Sequence, residues 1–307
     1  MDTLDTDWLA AHPLPTHAED TDKNARGRVL LAGGARFVPG ALRLTGEAVL
    51  RAGAGKLQMA TVADAAMPLG VLVPEAAILA LPVDAQGEIG QEAVPTIAKA
   101  MERCDAFVFG PGMSGDPQGL VRALTDTPRD GLTILLDAAA IGACSDCSDS
   151  LRAHNGRLIL TPHHGEMASL TGRDKGEIAA DPDSAARDVA ERYQAVVALK
   201  SDTTVVVAPD GPAVRYSGGG IGLATGGSGD VLAGLAGGLV ARGAEPFVAA
   251  AWAVWLHGEA GRRLAGAMGP LGFLARELLP LIPGLMASIR SHEPIGFALG
   301  SQSATKS

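Results

Sequence analysis

The run from Gly218 to Arg242, GGGIGLATGGSGDVLAGLAGGLVAR, sets the terms for the rest of the chain. Glycines crowd its first half up to Asp230. Beyond it Val231, Leu232, Leu235, Leu239 and Val240 recur at helical spacing. A glycine-rich loop therefore ends in a carboxylate and opens a helix. Ala233, Gly234, Ala236, Gly237 and Gly238 fill the gaps between the apolar positions. An interior glycine costs a helix roughly 1 kcal/mol against alanine, so these small residues suit a helix packed tightly against neighbouring backbone. Glycines also let the backbone turn its N–H groups inward, and a helix start adds partial positive charge. Together they make a site for a phosphate or a developing anion. Asp230 would repel a phosphate in a simple cradle. Beside one, it reads as a base that takes a proton from a hydroxyl while the amides hold the phosphoryl group. The alternative is a plain helix cap.

Elsewhere the same rhythm of strand, loop and helix repeats. Apolar runs predict strands over 28–32, 57–63, 106–109, 132–136, 157–160, 195–199 and 205–208. Helices are expected over 41–52, 91–103, after Gly115, over 246–265 and over 273–289, the last interrupted near Pro280 and Pro283. This is the pattern of one α/β domain with a mostly parallel sheet and helices on both faces. Residues 1–22 read as a loose N-terminal arm, 23–290 as the domain and 291–307 as a disordered tail. Gly112, Asp137, His163, Lys200 and Asp230 all follow strands or open the glycine-loop helix. In an open α/β sheet that puts them on one edge, where a cleft forms.

Several chemistries are excluded. The net charge of −9, without lysine or arginine clusters, argues against nucleic acid as the partner. No apolar run approaches the roughly 20 residues that span a bilayer, so no membrane partner is expected. The acidic N-terminus lacks the apolar core of a secretory signal. Three cysteines make no disulfide framework, and Cys144-x-x-Cys147, read in a polar loop, lacks a second pair for zinc. A reducing cytoplasm is the natural location. The loop Gly33–Ala41 is not G-x-G-x-x-G, and Gly55-Lys56 lacks the rest of a P-loop. Gly226-Gly227-Ser228-Gly229-Asp230 has aspartate where a hydrolase elbow needs glycine. His163 and His164 are adjacent and do not readily share one zinc ion.

PEAA at 74–77, GPGM at 110–113, LTPHHGE at 160–166, LKSDTTVV at 199–206 and GLATGGSGDVLAG at 222–234 carry a resemblance. In this order, across roughly residues 24–288, they resemble the ADP-dependent NAD(P)H-hydrate dehydratases. The resemblance implies a ribokinase-like three-layer sandwich, standing alone without the epimerase domain to which relatives are fused. It implies a repair reaction. Hydrated NADH or NADPH is phosphorylated on its ring hydroxyl by ADP (ATP in eukaryotic members), and phosphate then leaves, giving NAD(P)H, AMP and phosphate. Asp230 resembles the family's base, and Gly226, Gly227 and Gly229 its anion hole. Lys200, Ser201, Asp202, Thr203, Thr204 and Gly229 would contact the nucleotide. Ala41, Gly112, His163 and Asp230 would line the hydrate site, and Glu166 would organise Mg2+ through water. The family also implies a homo-oligomer.

The chain departs from the family pattern at Ala139, where a second aspartate is usual, at His164 for proline and at Gly220 for asparagine. Arg36-Phe37-Val38-Pro39 replaces a run containing serine and methionine. These changes imply an altered substrate preference or a weakened enzyme. A ribokinase-like kinase of a small alcohol, and a non-catalytic nucleotide-binding relative, remain as alternatives. The first needs the same base and anion hole.

Overall fold

Along the central strands, side chains alternate between two apolar layers. Val29, Leu31, Ala106, Val108, Val196 and Ala198 enter one layer. Leu30, Ala32, Phe107, Phe109, Val197 and Leu199 enter the other. A strand covered on both faces reads as an unbroken apolar run, as AFVF, LIL and VVAL do.

The computed structural model describes residues 1–18 and 22–291. Its strands are β1 (Asp2–Thr3), β2 (Arg28–Ala32), β3 (Lys56–Val62), β4 (Ala77–Leu81), β5 (Ala106–Phe109), β6 (Thr133–Leu136), β7 (Leu158–Leu160), β8 (Val196–Leu199), β9 (Thr204–Val207) and β10 (Ala213–Tyr216). Its helices are α1 (Thr6–Ala11), α2 (Gly40–Arg51), α3 (Ala63–Leu72), α4 (Val94–Met101), α5 (Gln118–Thr125), α6 (Ala139–Gly142) and α7 (Ser148–Arg152). They continue as α8 (His164–Thr171), α9 (Lys175–Ala180), α10 (Pro182–Tyr193), α11 (Ser228–Ala241), α12 (Pro246–Met268), α13 (Ala275–Leu278) and α14 (Ile282–Ser291).

The sheet order is β1-β10-β9-β8-β7-β6-β5-β2-β3-β4. From β8 to β4 every pairing is parallel, while β9 is antiparallel to both β8 and β10. The expected mostly parallel sheet with helices on both faces is what the chain forms. Helices α1, α2 and α11–α14 cover one face, and α4–α10 the other. The chain builds outward from β2 to β3 and β4, then returns to β5 on the other side of β2. This reversal opens a crevice at the carboxyl ends of β2 and β5.

The small residues of α11 are its contact face. A Cβ at Gly234 would lie 2.2 Å from the Thr45 carbonyl oxygen of α2, and one at Gly237 would lie 2.4 Å from Val108 Cγ2 of β5. Glycine therefore lets α11 sit against a helix and the sheet at once.

Three expectations change. The N-terminal segment is not loose: β1 pairs with β10, and Leu4, Trp8, Leu9 and Leu14 are buried. Trp252 Nε1 donates to the His12 carbonyl at 2.8 Å. Four apolar side chains scattered among acidic residues show no period, and it is the surface of α12 and α14 that gives them a core. Strands β4 and β10 were not anticipated: β4 is a half-covered edge strand, and β10 is a short return beside β9. Cys144 and Cys147 lie in no polar loop. Both are buried around the α6–α7 turn, Cys144 Sγ donates to the Ala140 carbonyl, and burial pushes both thiols up. The tail expected to be disordered lies, beyond residue 291, outside the described residues. Among the described residues no helix is long and apolar enough to cross a membrane.

Candidate active site

Strands β6, β7 and β8 each end in polar groups that meet the start of α11. Lys200, after β8, places Nζ 3.0 Å from Asp137 Oδ1 and 3.6 Å from Glu166 Oε2. Asp137 is 2% exposed, and its Oδ1 also accepts the Thr161 hydroxyl at 2.7 Å. Burial opposes the ammonium, but the two carboxylates outweigh it and hold Lys200 above its usual range. Lys200 is a fixed cation. Its backbone N–H donates to the Pro162 carbonyl at 2.7 Å, which ties the end of β7 to the end of β8.

His163 caps α8. Its Nδ1 accepts the Glu166 backbone N–H at 2.9 Å, and Glu166 Oε2 accepts the His163 N–H at 2.7 Å. This reciprocal capping box satisfies two helix-end donors. It also puts the proton of the neutral ring on Nε2, which then offers a donor.

Two backbone features hold this edge in shape. Ala138, next after Asp137, has φ 51° and ψ −130°, a conformation that costs a non-glycine residue roughly 1–3 kcal/mol. Gly110 has φ 114°, and a Cβ there would lie 2.0 Å from the Asp137 carbonyl oxygen. The turn after β5 thus requires glycine to let the Asp137 backbone approach.

At α11 the N-cap is Gly227, with φ 89° and no side chain to cap the helix. The Ser228 amide bonds Thr225 and the Val231 amide bonds Gly227, leaving the Gly229 and Asp230 amides without a protein acceptor among the described residues. Asp230 is the third residue of the helix and not its cap, which removes the plain capping alternative. Gly229 faces Lys200: a Cβ there would lie 3.4 Å from Nζ. Burial and then Asp137 push the Asp230 carboxyl up to about 7, against the pull of Lys200.

The remaining expected residues fall into two groups. Ser201, Asp202, Thr203 and Thr204 form the turn from β8 to β9. There Ser201 Oγ donates to the Thr203 carbonyl at 2.6 Å, and Thr204 Oγ1 donates to the Ser201 carbonyl at 3.3 Å. Their hydroxyls shape the turn that follows Lys200. Ala41 and Gly112 meet at the β2/β5 crevice, where a Cβ on Gly112 would lie 2.7 Å from Ala41 Cβ. So the structure gathers Asp137, His163, Glu166, Lys200, Gly229 and Asp230, and separately Ala41 with Gly112.

One pair escaped the sequence. Ser228 Oγ lies 2.7 Å from His257 Nε2 of α12, and burial and then Lys200 push His257 down to about 4, so the ring is neutral. His257 is the first polar residue after the apolar start of α12, distant in sequence from Ser228, and only the α11–α12 packing joins them.

A cleft of about 600 Å³ opens beside the cluster, its wall including Met113, Ser114, Ala138, His163, Gly165 and Glu166. Lys200 and Asp230 are not on that wall, but Glu166 belongs to both the wall and the charge cluster. Among the described residues no three or more histidine, cysteine or carboxylate side chains group to cage a metal. Mg2+ does not need such a cage, since one or two carboxylates with water and phosphate oxygens suffice. Glu166 fits that role, because its bonds to His163 and Lys200 use Oε2 and leave Oε1.

Comparison with known proteins converges on one group. The model of the NAD(P)H-hydrate dehydratase family (Carb_kinase) matches residues 29–283. The chain is 46% identical to the ADP-dependent (S)-NAD(P)H-hydrate dehydratase of Xanthomonas campestris pv. campestris, covering 91% of this chain and 93% of that one. Among solved structures, it superposes on a ribokinase-like superfamily protein of Enterococcus faecalis with a TM-score of 0.81 at 25% identity, over 94% and 96% of the two chains. It superposes on the ADP/ATP-dependent NAD(P)H-hydrate dehydratase of Bacillus subtilis, co-crystallised with ATP and Mg2+, with a TM-score of 0.78 at 26% identity, over 94% and 98%.

Proposed function

This chain belongs to the NAD(P)H-hydrate dehydratase family, and from that premise we propose how its own residues carry out the dehydration. Hydroxide is a poor leaving group and phosphate a good one, so the ring hydroxyl of hydrated NADH or NADPH is first phosphorylated. Asp230 takes the hydroxyl proton as the oxygen attacks the terminal phosphorus of ADP. The helix-start amides, Gly227 and Gly229 with Gly226 before them, hold the phosphoryl oxygens. Lys200 neutralises charge on the same group, and the turn from Ser201 to Thr204 seats the nucleotide with Gly229. AMP departs. Phosphate then leaves the ring as its neighbouring carbon gives up a proton, restoring the double bond.

Ala41, Gly112, His163 and Asp230 line the place of the hydrated ring, with His163 Nε2 offering a hydrogen bond to an acceptor. Glu166 would hold Mg2+ through water, and the ion would supply neutralisation of the nucleotide's phosphate charge. The observation that carries this reading is the Asp230 carboxyl beside free helix-start amides and the Lys200 cation. The test is incubation with hydrated NADH plus ADP or ATP, following the reduced-nicotinamide absorbance. Recovery that depends on nucleotide supports the reading, and no recovery with either nucleotide contradicts it.

We also read the protein as a cytoplasmic homo-oligomer. Its three cysteines are free thiols, in keeping with a reducing compartment. Met67, Val71 and Leu72 are strongly exposed on α3 beside the sheet-edge strand β4. An open edge next to an apolar stripe favours coverage by a second copy.

A further inference from the structure

Outside the cluster lies a second cleft that supplies none of the reacting groups named above. It holds about 420 Å³ and shares Met113, Gly115 and Asp116 with the larger cleft, so the two adjoin. Its wall brings together Asp84, Glu88, Glu92 and Asp116, and among the described residues it includes no lysine or arginine.

Glu88 gives the cleft its meaning. It is 7% exposed. Its Oε1 accepts the Ser114 hydroxyl at 2.5 Å and the Ser114 amide at 3.2 Å. Its Oε2 has no partner among the described residues. An unmet buried acceptor costs about 1–3 kcal/mol, and more when charged. Such an oxygen, held in the wall of a cleft, calls for a donor brought by a ligand. The bland account is that these carboxylates stiffen the turn around 84–88. That holds for Asp84, whose Oδ1 accepts the Gln86 and Glu88 amides at 2.9 Å each. It leaves Glu88 Oε2 unexplained.

The ligand chemistry follows from the sign of the wall. Carboxylates accept hydrogen bonds from hydroxyls, as an acidic residue does from a ribose 2′-hydroxyl in dinucleotide sites. The same wall repels a phosphate. The hydrated dinucleotide presents both cases at its adenosine ribose, which carries a free cis-diol in the NADH form and a 2′-phosphate in the NADPH form. We propose that this acidic cleft is the subsite for the adenosine ribose of the substrate and selects hydrated NADH over hydrated NADPH. The proposal rests on the dehydratase reading above.

The test compares kcat/KM for the two hydrates and the binding of NADH and NADPH, followed by their own fluorescence. Like charges facing each other across the cleft predict a preference of about tenfold or more for the NADH forms in both measurements. Glu92→Lys, at an exposed position outside the catalytic cluster, is expected to shift the ratio about tenfold towards the NADPH forms. Glu88→Gln, which can still accept from Ser114, is expected to narrow the preference. Equal values for the two forms in the unaltered protein would overturn the proposal, as would a Glu92→Lys effect equal on both. Failure to turn over either hydrate would count against the dehydratase reading instead, and the binding comparison would still decide the cleft.

Discussion

Asp230 is half ionised near neutral pH, because burial and Asp137 raise it to about 7 against Lys200. A base works only when ionised, so kcat/KM is expected to rise with pH through about 7. Asp137→Asn removes one of the two causes and should move that limb to lower pH in a rate profile; a limb that stays in place would contradict the assignment. The same shift has a stability consequence. The folded value lies above the ordinary 3.8, so the fold takes up a proton here. The stability this gives is full below about pH 4 and is lost as pH rises through about 7. Above that, Asp230→Asn should stabilise the fold by about 2 kcal/mol in denaturant unfolding while lowering kcat roughly 10²–10⁴-fold and keeping ADP binding. Asp137, His163, Lys200 and Asp230 were legible in the sequence because each sits beside a strand end or a glycine loop, and Glu166 only through the family resemblance. The Ser228–His257 pair was not, since nothing in an apolar helix announces which serine its histidine will meet.

At the scale of elements, the seating of α11 decides where Asp230 points. Two opposing effects make Gly234→Ala informative. Helix propensity alone favours alanine by roughly 1 kcal/mol. Packing opposes it, because the new Cβ would lie 2.2 Å from the Thr45 carbonyl oxygen and 2.7 Å from Ala48 Cβ, both on α2. Neither neighbour is the end of a flexible chain, so overpacking should win, with a net loss of about 1–3 kcal/mol read from the denaturant midpoint. The glycines of α11 could be read as packing residues from sequence because nothing else justifies their cost. Strands buried on both faces were legible for the same kind of reason: an unbroken apolar run has few other uses. Strands β4 and β10 escaped because one is half-covered and the other is a short hairpin return, and neither shows a clean period.

For the whole molecule, the three layers follow from the alternation of β2, β5 and β8 between two cores. The N-terminal segment joins one of those cores, which its acidic, aperiodic sequence hid. What a single chain leaves uncovered also matters. Met67 is 77% exposed and Val71 74% on α3. Charging both, as Met67→Glu with Val71→Glu, should convert an oligomer to monomer in sedimentation without unfolding it. The measurement that bears most directly on the whole account follows one oxygen atom. With hydrated NADH carrying a heavy-oxygen label in its ring hydroxyl, and ADP present, attack by that hydroxyl on phosphorus predicts that the label leaves in inorganic phosphate. Label released into water, with unlabelled phosphate, would contradict it.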